Sequence, residues 1–429
     1  MASFLLTASL FLSAVSAQGL SNNKPEEHPK ITTYRCTKAG GCTEATNAIV
    51  LDAGAHNIRQ RAAPSLGCGN WGSGPNATVC PDTATCAQNC IMDGLSVTDY
   101  ANLGITTTGS SLRMDMLRDS DLTSLSPRIY LLTPDEQSYE LLQLTGSEFT
   151  FTVDGSKLPC GMNSALYLSE MRADGGRSPN NPGGAAYGTG YCDAQCYVTP
   201  FLNGEANVDA KGICCPEMDI WEANGRATQI APHPCNQTGV YGCSGDECAF
   251  GGVCDKNGCG QNPYALGDKS FYGPGQGFEL DTLKPITVVT QFPADAQGKL
   301  TGYRRLYLQD GKVVKSEMNI PSFDDFGDEY CAANGAARYM DLGATEGMGG
   351  ALTRGMVLAM SIWWDEGGFM NWLDSGNAGP CNATEGAPAV IKSIQPDTEV
   401  TFSDFKWGEI DSTYQLSNAT GYGRYRRRL

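Results

Sequence analysis

The segment Cys214-Cys-Pro-Glu-Met-Asp-Ile-Trp-Glu-Ala-Asn224 combines apolar residues with three carboxylates, Glu217, Asp219 and Glu222. In a β-strand, successive side chains point to opposite faces of the sheet. Read as a strand, the segment places Glu217 and Asp219 on one face, with Trp221 next along it. Glu222 has the wrong parity for that face.

A β-bulge near Ile220–Glu222 would return Glu222 to the face of the other two acids, and bulges are common beside active sites. A glycosidase that retains configuration needs two carboxyl groups about 5–5.5 Å apart, whereas five residues of extended chain span up to roughly 17 Å. A bulge on a concave sheet, with two long Glu side chains converging, closes that gap. Crowding three acids also pushes their pKa values apart, which favours one proton held at a general acid.

Two other interpretations of these acids stay open at this point. They fit an ordinary exposed acidic strand edge, and their oxygens also fit a hard-cation site such as that of calcium-dependent legume-like lectins. His233 lies eleven residues past Glu222, where it would assist a carboxylate site or be an isolated turn residue. The sequence contains neither a phosphate-binding Gly-x-x-x-x-Gly-Lys-Ser/Thr motif nor a Gly-x-Ser-x-Gly nucleophile elbow.

Strand-like segments recur along the chain, while helical periodicity is scarce. The predicted strands are Arg128–Leu132, Glu148–Val153, Ala165–Glu170, Ile286–Phe292, Glu399–Trp407 and the buried segment Gly355–Trp364. Asp310-Gly311 is a two-residue hairpin signal between Arg305–Gln309 and Lys312–Lys315. Met340–Leu352 is a weak helix candidate. Many strands with Gly-rich turns predict an all-β sandwich or barrel.

Composition narrows the classes of function. The 429 residues carry 30 Lys+Arg against 47 Asp+Glu, for a net charge of -17. With no basic block in the body of the chain, this balance argues against nucleic acid or an anionic membrane as a partner. No later segment reaches 18 apolar residues, so no membrane span is predicted. We expect one domain at residues 18–416 and a basic tail at residues 417–429.

Residues 1–17 predict a secretory signal peptide. Phe4–Val15 is apolar but too short to cross a bilayer, and Val15-Ser16-Ala17 is a small-x-small cleavage pattern. The absence of Lys or Arg before the apolar run departs from the usual pattern. We therefore expect a secreted, extracellular protein. Four Asn-x-Ser/Thr glycosylation acceptors fit this expectation: Asn76, Asn236, Asn382 and Asn418.

All 18 cysteines follow the predicted cut, which in an oxidising compartment predicts up to nine disulfides. Zinc binding is the competing interpretation, but no Cys-x-x-Cys pair occurs and the chain has three His. We expect neither a metal nor a cofactor.

Three of the six Trp lie in Trp363-Trp364-Asp-Glu-Gly-Gly-Phe-Met-Asn-Trp372. Sugar rings present apolar C–H faces, so the cluster fits a polysaccharide cleft, and it fits a hydrophobic core equally well. Alternation puts Trp363 and Trp364 on opposite faces, so at least one of them packs in the core or against a loop.

At Glu217-Met-Asp-Ile-Trp-Glu222 the chain resembles the fungal family 7 glycoside hydrolases, retaining cellulases with a concanavalin-like β-jelly-roll sandwich. The resemblance extends from Tyr34-Arg-Cys-Thr to Trp407-Gly-Glu. Further matching motifs are Gly161-Met-Asn-Ser-Ala-Leu-Tyr167, Tyr187-Gly-Thr-Gly-Tyr-Cys-Asp-Ala-Gln-Cys196, Cys254-Asp-Lys-Asn-Gly-Cys259 and Ser270-Phe-Tyr-Gly-Pro-Gly275.

The resemblance implies roles for the acids and their neighbours. Glu217 resembles the nucleophile, Glu222 the general acid/base, and Asp219 the residue that hydrogen-bonds the nucleophile. His233 resembles the family's accessory His near the acid/base. The implied substrate contacts are Trp363 and Trp372, similar to sugar platforms on either side of the cleavage point, and Arg128, Tyr167, Asp193 and Gln195, which match positions that line the cleft. The implied disulfides are 36–42, 68–90, 80–86, 160–381, 192–215, 196–214, 235–254, 243–248 and 259–331.

Loop lengths separate the two branches of this family. Cellobiohydrolases carry a long insert after the Trp-Leu-Asp-Ser segment, where this chain has only Gly376-Asn-Ala-Gly-Pro before Cys381. They also place Trp residues after an N-terminal Leu-Asp, where this chain has Ala53-Gly-Ala-His-Asn57 after Leu51-Asp52. Both differences favour the open cleft of an endoglucanase.

The sequence thus predicts a secreted, monomeric endo-1,4-β-glucanase that cuts cellulose and other β-1,4-glucan chains with retention of configuration. One rival is a processive, reducing-end cellobiohydrolase of the same family. The other is a β-sandwich lectin, which would bind glucan without shortening it.

Overall fold

The computed structural model describes residues 19–21, 24–69, 72–314 and 326–415. Its β-strands are β1 Gly19–Leu20, β2 Lys30–Thr37, β3 Gly41–Leu51, β4 Ile58–Gln60, β5 Cys90–Met92, β6 Ile105–Thr108, β7 Ser111–Asp115, β8 Arg128–Leu132, β9 Leu141–Leu142, β10 Ser147–Asp154, β11 Met162–Ser169, β12 Phe201–Leu202, β13 Glu205–Ala206, β14 Gly212–Cys214, β15 Glu217–Ala223, β16 Thr228–His233, β17 Tyr241–Cys243, β18 Tyr272–Gly273, β19 Leu280–Asp281, β20 Ile286–Gln291, β21 Arg304–Gln309, β22 Lys312–Val314, β23 Met356–Trp364 and β24 Glu399–Glu409.

The helices are short and lie in the connections between strands. They are α1 Thr83–Asn89, α2 Val97–Asn102, α3 Asp328–Ala333, α4 Ala337–Asp341, α5 Ala344–Arg354, α6 Asn371–Asp374 and α7 Pro388–Ile394, with 3-10 turns at Ala53–Ala55, Gly184–Tyr187 and Gly245–Cys248. The predicted helix Met340–Leu352 is wrong as a single element, because Gly343, at φ 100°, separates α4 from α5.

The predicted strands are confirmed with small shifts of their ends. β8 has the predicted bounds, and β11 begins three residues earlier than predicted, because Met162 and Asn163 pair with β23. The hairpin between β21 and β22 turns at Asp310 and Gly311, both at positive φ, as a tight two-residue turn requires.

The large sheet folds back on itself to form a sandwich. Its main path runs β16-β15-β11-β23-β8-β3-β2-β24-β10-β20-β21-β22. Phe151 on β10 and Trp221 on β15 are far apart along this path, yet their ring centroids are 6.1 Å apart in an edge-to-face contact. The main hydrophobic core therefore lies between two layers of one continuous sheet. The predicted all-β jelly-roll sandwich is confirmed.

Nine disulfides use all 18 cysteines, with the nine predicted pairings. The two that close the longest loops are Cys160–Cys381 and Cys259–Cys331, with sequence separations of 221 and 72. With no free cysteine, the thiolates that a zinc site needs are not available.

Some predictions concern residues outside the described ranges: the signal peptide at residues 1–17, Asn418 and the tail at residues 417–429. Within the ranges that are described, no helix is both long and apolar enough to cross a membrane.

Candidate active site

The bulge predicted in β15 is present, and it brings the three acids to one face. On the β11 side, Trp221 pairs with Leu166 and Asp219 pairs with Tyr167, so Ile220 has no partner in the ladder. On the β16 side, the register also shifts between Asp219 and Glu222. Because Ile220 is this extra residue, the Glu222 side chain points to the same face of the sheet as those of Glu217 and Asp219.

The predicted position of Trp221 on the face of the acids is wrong. The bulge turns its ring into the main core, where it makes edge-to-face contacts with Phe151 and Tyr272. Glu217, Asp219 and Glu222 remain on the other face, each 7% exposed.

The bulge also shortens the distance between the two glutamates. Their partners on β11 are Ser169 for Glu217 and Ala165 for Glu222, with Tyr167 opposite Asp219 between them. The strand path between the glutamates is thus four residue steps, about 13 Å, rather than the five expected from the sequence. Their side chains can converge above Asp219.

Two side-chain amides hold the carboxylate of Glu222. Asn163 Nδ2 donates to its Oε1 at 2.9 Å, and Gln229 Nε2 donates to its Oε2 at 2.8 Å. Asn163 is on β11, and Gln229 lies opposite Glu222 on β16. Burial and the charge of Asp219 raise the pKa of Glu222 to about 7, against the lowering effect of the two amides.

Glu217 accepts a hydrogen bond from the backbone N–H of Ala194 at 3.0 Å. Burial and the charges of Asp219 and Asp193 raise its pKa well above the usual range. The cationic His233 and the Ala194 N–H act in the opposite direction and favour the ionised carboxylate.

His233 supplies the positive charge of the site. Its Nε2 lies 2.9 Å from Asp219 Oδ2, and its Nδ1 donates to the carbonyl of Asp255 at 2.8 Å. Burial opposes its charge, but the hydrogen bond and charge of Asp219, with smaller effects of Glu217 and Asp255, raise its pKa to about 10. His233 and Asp219 therefore form a buried ion pair. The resemblance implied that Asp219 hydrogen-bonds Glu217, but the contact that the structure gives for its carboxylate is with His233, and Asp219 acts on Glu217 through its charge.

The four predicted cleft residues belong to one network of contacts in which Tyr191 is the central residue. They are Arg128, Tyr167, Asp193 and Gln195. The Arg128 guanidinium stacks 3.4 Å above the centroid of the Tyr191 ring. The Tyr191 hydroxyl lies 3.0 Å from that of Tyr167 and donates to Asp193 at 2.8 Å. Asp193 also accepts the backbone N–H of Gln195 at 2.9 Å. Burial raises the pKa of Asp193. The hydrogen bond from Tyr191 and the charge of Arg128 act in the opposite direction and lower it.

The aromatic residues divide as alternation predicts. Trp364 packs against the main core, whereas Trp363 packs against the second cluster of buried residues, on the face of the acids. The Trp363 and Trp372 ring centroids are 6.4 Å apart, and Trp372 is 44% exposed. Trp363 and Trp372 thus form one adjacent pair at the cleft.

Both loops used to predict an open cleft are compact. After α6, the carbonyl of Asp374 accepts the N–H of Cys381 at 2.9 Å, so the intervening residues form a tight turn. The segment after Asp52 is a 3-10 turn, Ala53–Ala55, with no aromatic side chain.

The calcium interpretation does not fit the donors around the acids. The Glu217 and Glu222 oxygens face N–H donors from Ala194, Asn163 and Gln229, and Asp219 faces the His233 cation. Such donors repel a cation. Among the residues described, the clusters with metal-ligand spacing all contain disulfide-bonded cysteines.

Sequence reasoning missed three residues that contact the acids or connect the cleft: Asn163, Gln229 and Tyr191. Asn163 shares the parity of Tyr167 on β11, and Gln229 lies across a hairpin from Glu222. Both could have been found by pairing the strands. Tyr191 precedes Cys192 within a matching motif, but only the fold shows that it links Arg128 to Asp193.

Comparison with known proteins agrees with this geometry. The model of glycosyl hydrolase family 7 matches residues 20–414. Endoglucanase EG-1 of Humicola insolens is 57% identical over 413 residues, which cover 95% of this chain and 94% of the relative. A solved structure of endoglucanase I complexed with cellobiose has a TM-score of 0.90 and 55% identity, covering 92% of this chain and 100% of that one.

Two other solved structures bear on mechanism and branch. Glycosynthase mutants of a Humicola insolens family member give a TM-score of 0.89 at 56% identity, covering 92% of this chain and 100% of theirs. A cellobiohydrolase from Daphnia pulex is more distant, with a TM-score of 0.85 and 35% identity at the same coverages, 92% and 100%.

The fold, the buried acids and these relatives make the chain a glycoside hydrolase. More narrowly, it belongs to glycosyl hydrolase family 7, whose model covers nearly all of the described residues.

Proposed function

We propose that the protein is a secreted endo-1,4-β-glucanase that hydrolyses internal bonds of cellulose and related β-glucans with retention of configuration. The observation that carries the proposal is the bulge in β15, which places Glu217 and Glu222 on one face with Asp219 between them. Two carboxyl groups with different surroundings are what double displacement requires.

In the first step, Glu222 donates its proton to the glycosidic oxygen while Glu217 attacks the anomeric carbon. The bond to the leaving sugar breaks, and a covalent glycosyl-enzyme forms. A pKa of about 7 keeps Glu222 protonated in mild acid. This step needs Glu217 in its ionised form. Burial and the charges of Asp219 and Asp193 raise its pKa and oppose that form, whereas the His233 cation and the Ala194 N–H favour it.

In the second step, Glu222 accepts a proton from water as the water attacks the anomeric carbon. Glu217 leaves as a carboxylate, and the β-configuration is restored. Asp219 holds the imidazolium of His233 in place beneath both glutamates. The relative described as a glycosynthase supports this scheme, because glycosynthases are derived from retaining glycosidases.

Internal cleavage is supported by the compact turns after α6 and after Asp52, the two segments that the resemblance uses to separate the branches. Family relatives named endoglucanases are also closer to this chain than the cellobiohydrolase, at 57% against 35% identity. The exposed Trp372 and the half-buried Trp363 are the proposed sugar platforms, and Arg128, Tyr167, Asp193 and Gln195 the proposed polar lining of the cleft.

Export is part of the proposal. We infer cleavage after Ala17 and a single catalytic domain at residues 18–416. Three of the predicted glycosylation acceptors, Asn76, Asn236 and Asn382, are exposed, as a glycan requires.

Replacement of Glu217 by Gln tests the assignment. We expect Glu217→Gln to abolish turnover while circular dichroism and thermal unfolding show an intact fold. The matched control is Glu346→Gln, which removes an exposed carboxylate paired with Lys299 and should leave activity unchanged. Activity near that of the wild type in folded Glu217→Gln protein would sink the assignment, and proton NMR that detects the α-anomer first would contradict retention.

A further inference from the structure

Arg305 is a half-buried cation whose guanidinium lies inside the sandwich. It lies on β21 opposite Thr290 of β20, which in turn lies opposite Phe149 of β10. The next residue of the same face, Tyr307, belongs to the main core. The Arg305 side chain therefore points between the two layers, towards β15.

The guanidinium of Arg305 contacts one acceptor of the opposite layer. Its Nη2 donates to the backbone carbonyl of Ile220. Its Nε and Nη1 are buried and have no hydrogen-bond partner in the part of the chain that the structure describes. Burial lowers the pKa of Arg305. A buried charge is unfavourable unless it is well paired, so this arrangement calls for an explanation beyond packing.

Ile220 is the residue that the bulge inserts. Because it has no partner on β11, its backbone depends on a donor from elsewhere. The Arg305 guanidinium is that donor. The same bulge determines the face to which Glu222 points, so the contact lies one peptide unit before Trp221 and two residues before the proposed acid/base.

We propose that Arg305 is a positioning residue, which holds the bulge at Ile220 and thereby aims Glu222 at the glycosidic oxygen. Arg305 acts from the core and touches no substrate. The proposal rests on the acid/base role of Glu222 proposed above.

The test is Arg305→Met, an apolar side chain of similar length. Arg305→Met removes a buried charge but leaves the Ile220 carbonyl without its donor, so rates are compared only after circular dichroism and thermal unfolding show a folded protein. With cellotetraose, whose leaving group needs a proton, we expect kcat to drop by about 100-fold, the effect of a displacement of about 1 Å. KM should be unchanged. With 2,4-dinitrophenyl β-cellobioside, whose leaving group needs no proton, the loss of kcat/KM should be much smaller. The two substrates are compared by kcat/KM because it reports the first step alone, whereas the second step needs Glu222 as a base with either substrate.

The controls separate positioning from a general loss of structure. Arg304→Met changes the exposed neighbour on the opposite face of β21 and should leave both rates as in the wild type. Arg305→Lys, which keeps one cationic donor, should recover part of the cellotetraose rate. Equal losses on both substrates, or no loss in folded Arg305→Met, would overturn the proposal.

Glu222→Gln shows which assignment fails. If Glu222→Gln loses cellotetraose activity far more than dinitrophenyl cellobioside activity while Arg305→Met does not, the role of Arg305 is wrong and that of Glu222 stands. If Glu222→Gln shows no such difference, the acid/base assignment is wrong, and the proposal for Arg305 fails with it.

Discussion

His233 donates both ring N–H groups, to the Asp219 carboxylate at 2.9 Å and to the Asp255 carbonyl at 2.8 Å. A ring that donates from both nitrogens is an imidazolium. Its positive charge lies among four buried acids, Glu217, Asp219, Glu222 and Asp193, and favours the ionised forms of Glu217 and Glu222.

Removal of this cation should shift the pH dependence of catalysis. In His233→Asn, the pKa values of Glu217 and Glu222 should rise, because the charge that lowers them is lost. Both limbs of the kcat/KM profile should then move to higher pH, with about 10-fold lower activity in mild acid. His28→Asn is the matched control, because the partners of His28 are Glu136 and the Ala186 carbonyl rather than any of the acids. A His233→Asn profile that moves to lower pH would contradict the assignment.

Stability should fall as the pH rises. The pKa of Glu222 is raised to about 7, so its contribution is complete below its ordinary value and is lost as the pH rises through 7. The contribution of His233 is complete below about 6.5 and is lost as the pH approaches 10. We expect denaturant titrations to show a lower free energy of unfolding at pH 9 than at pH 5. In Glu222→Gln, this fall should be smaller by about 3 kcal/mol at most, while the raised pKa of Glu217 still contributes to it. A wild-type profile that is flat between pH 5 and pH 9 would refute this prediction.

Gln229 should tune the acid/base directly. Its amide lies 2.8 Å from Glu222 and lowers the pKa of that carboxyl. In Gln229→Leu, the pKa of Glu222 should therefore rise, and the alkaline limb of activity should move up by about one pH unit. Gln297→Leu, in an exposed turn, serves as the control. An alkaline limb that stays in place, or moves down, would show that the amide does not act on the titrating group.

Trp372 should contribute to substrate binding more than to folding. Its ring is 44% exposed and adjacent to Trp363. Loss of an apolar platform that substrate covers should weaken binding by about 1–2 kcal/mol, or about 5–30-fold in KM. Cellopentaose kinetics of Trp372→Ala measure this effect, with Leu283→Ala, a 59% exposed apolar residue, as the control. Equal KM values for the two variants would rule out a platform role.

The sequence predicted most of the acid cluster because strand parity is a local property. Glu217, Asp219 and the need for a bulge before Glu222 followed from one segment, and the bulge is where it was expected. The same bulge made the prediction for Trp221 wrong, because an inserted residue changes the parity of everything after it. The disulfide pairings and the branch of the family came from the resemblance.

Contacts between distant segments were beyond the sequence. Asn163 is 59 residues from Glu222, and Arg305 is 85 residues from Ile220. These contacts form only because strand order places β11 beside β15 and the sandwich places β21 across from it. No local pattern distinguishes Arg305 from its exposed neighbour Arg304.

The central claim is internal cleavage in an open cleft, and viscometry of a soluble substituted cellulose tests it most directly. New reducing ends are counted in the same sample. We expect a steep fall in viscosity while few reducing ends have formed, because each internal cut shortens a long chain. Release of cellobiose with little change in viscosity would contradict it and show an exo-acting enzyme.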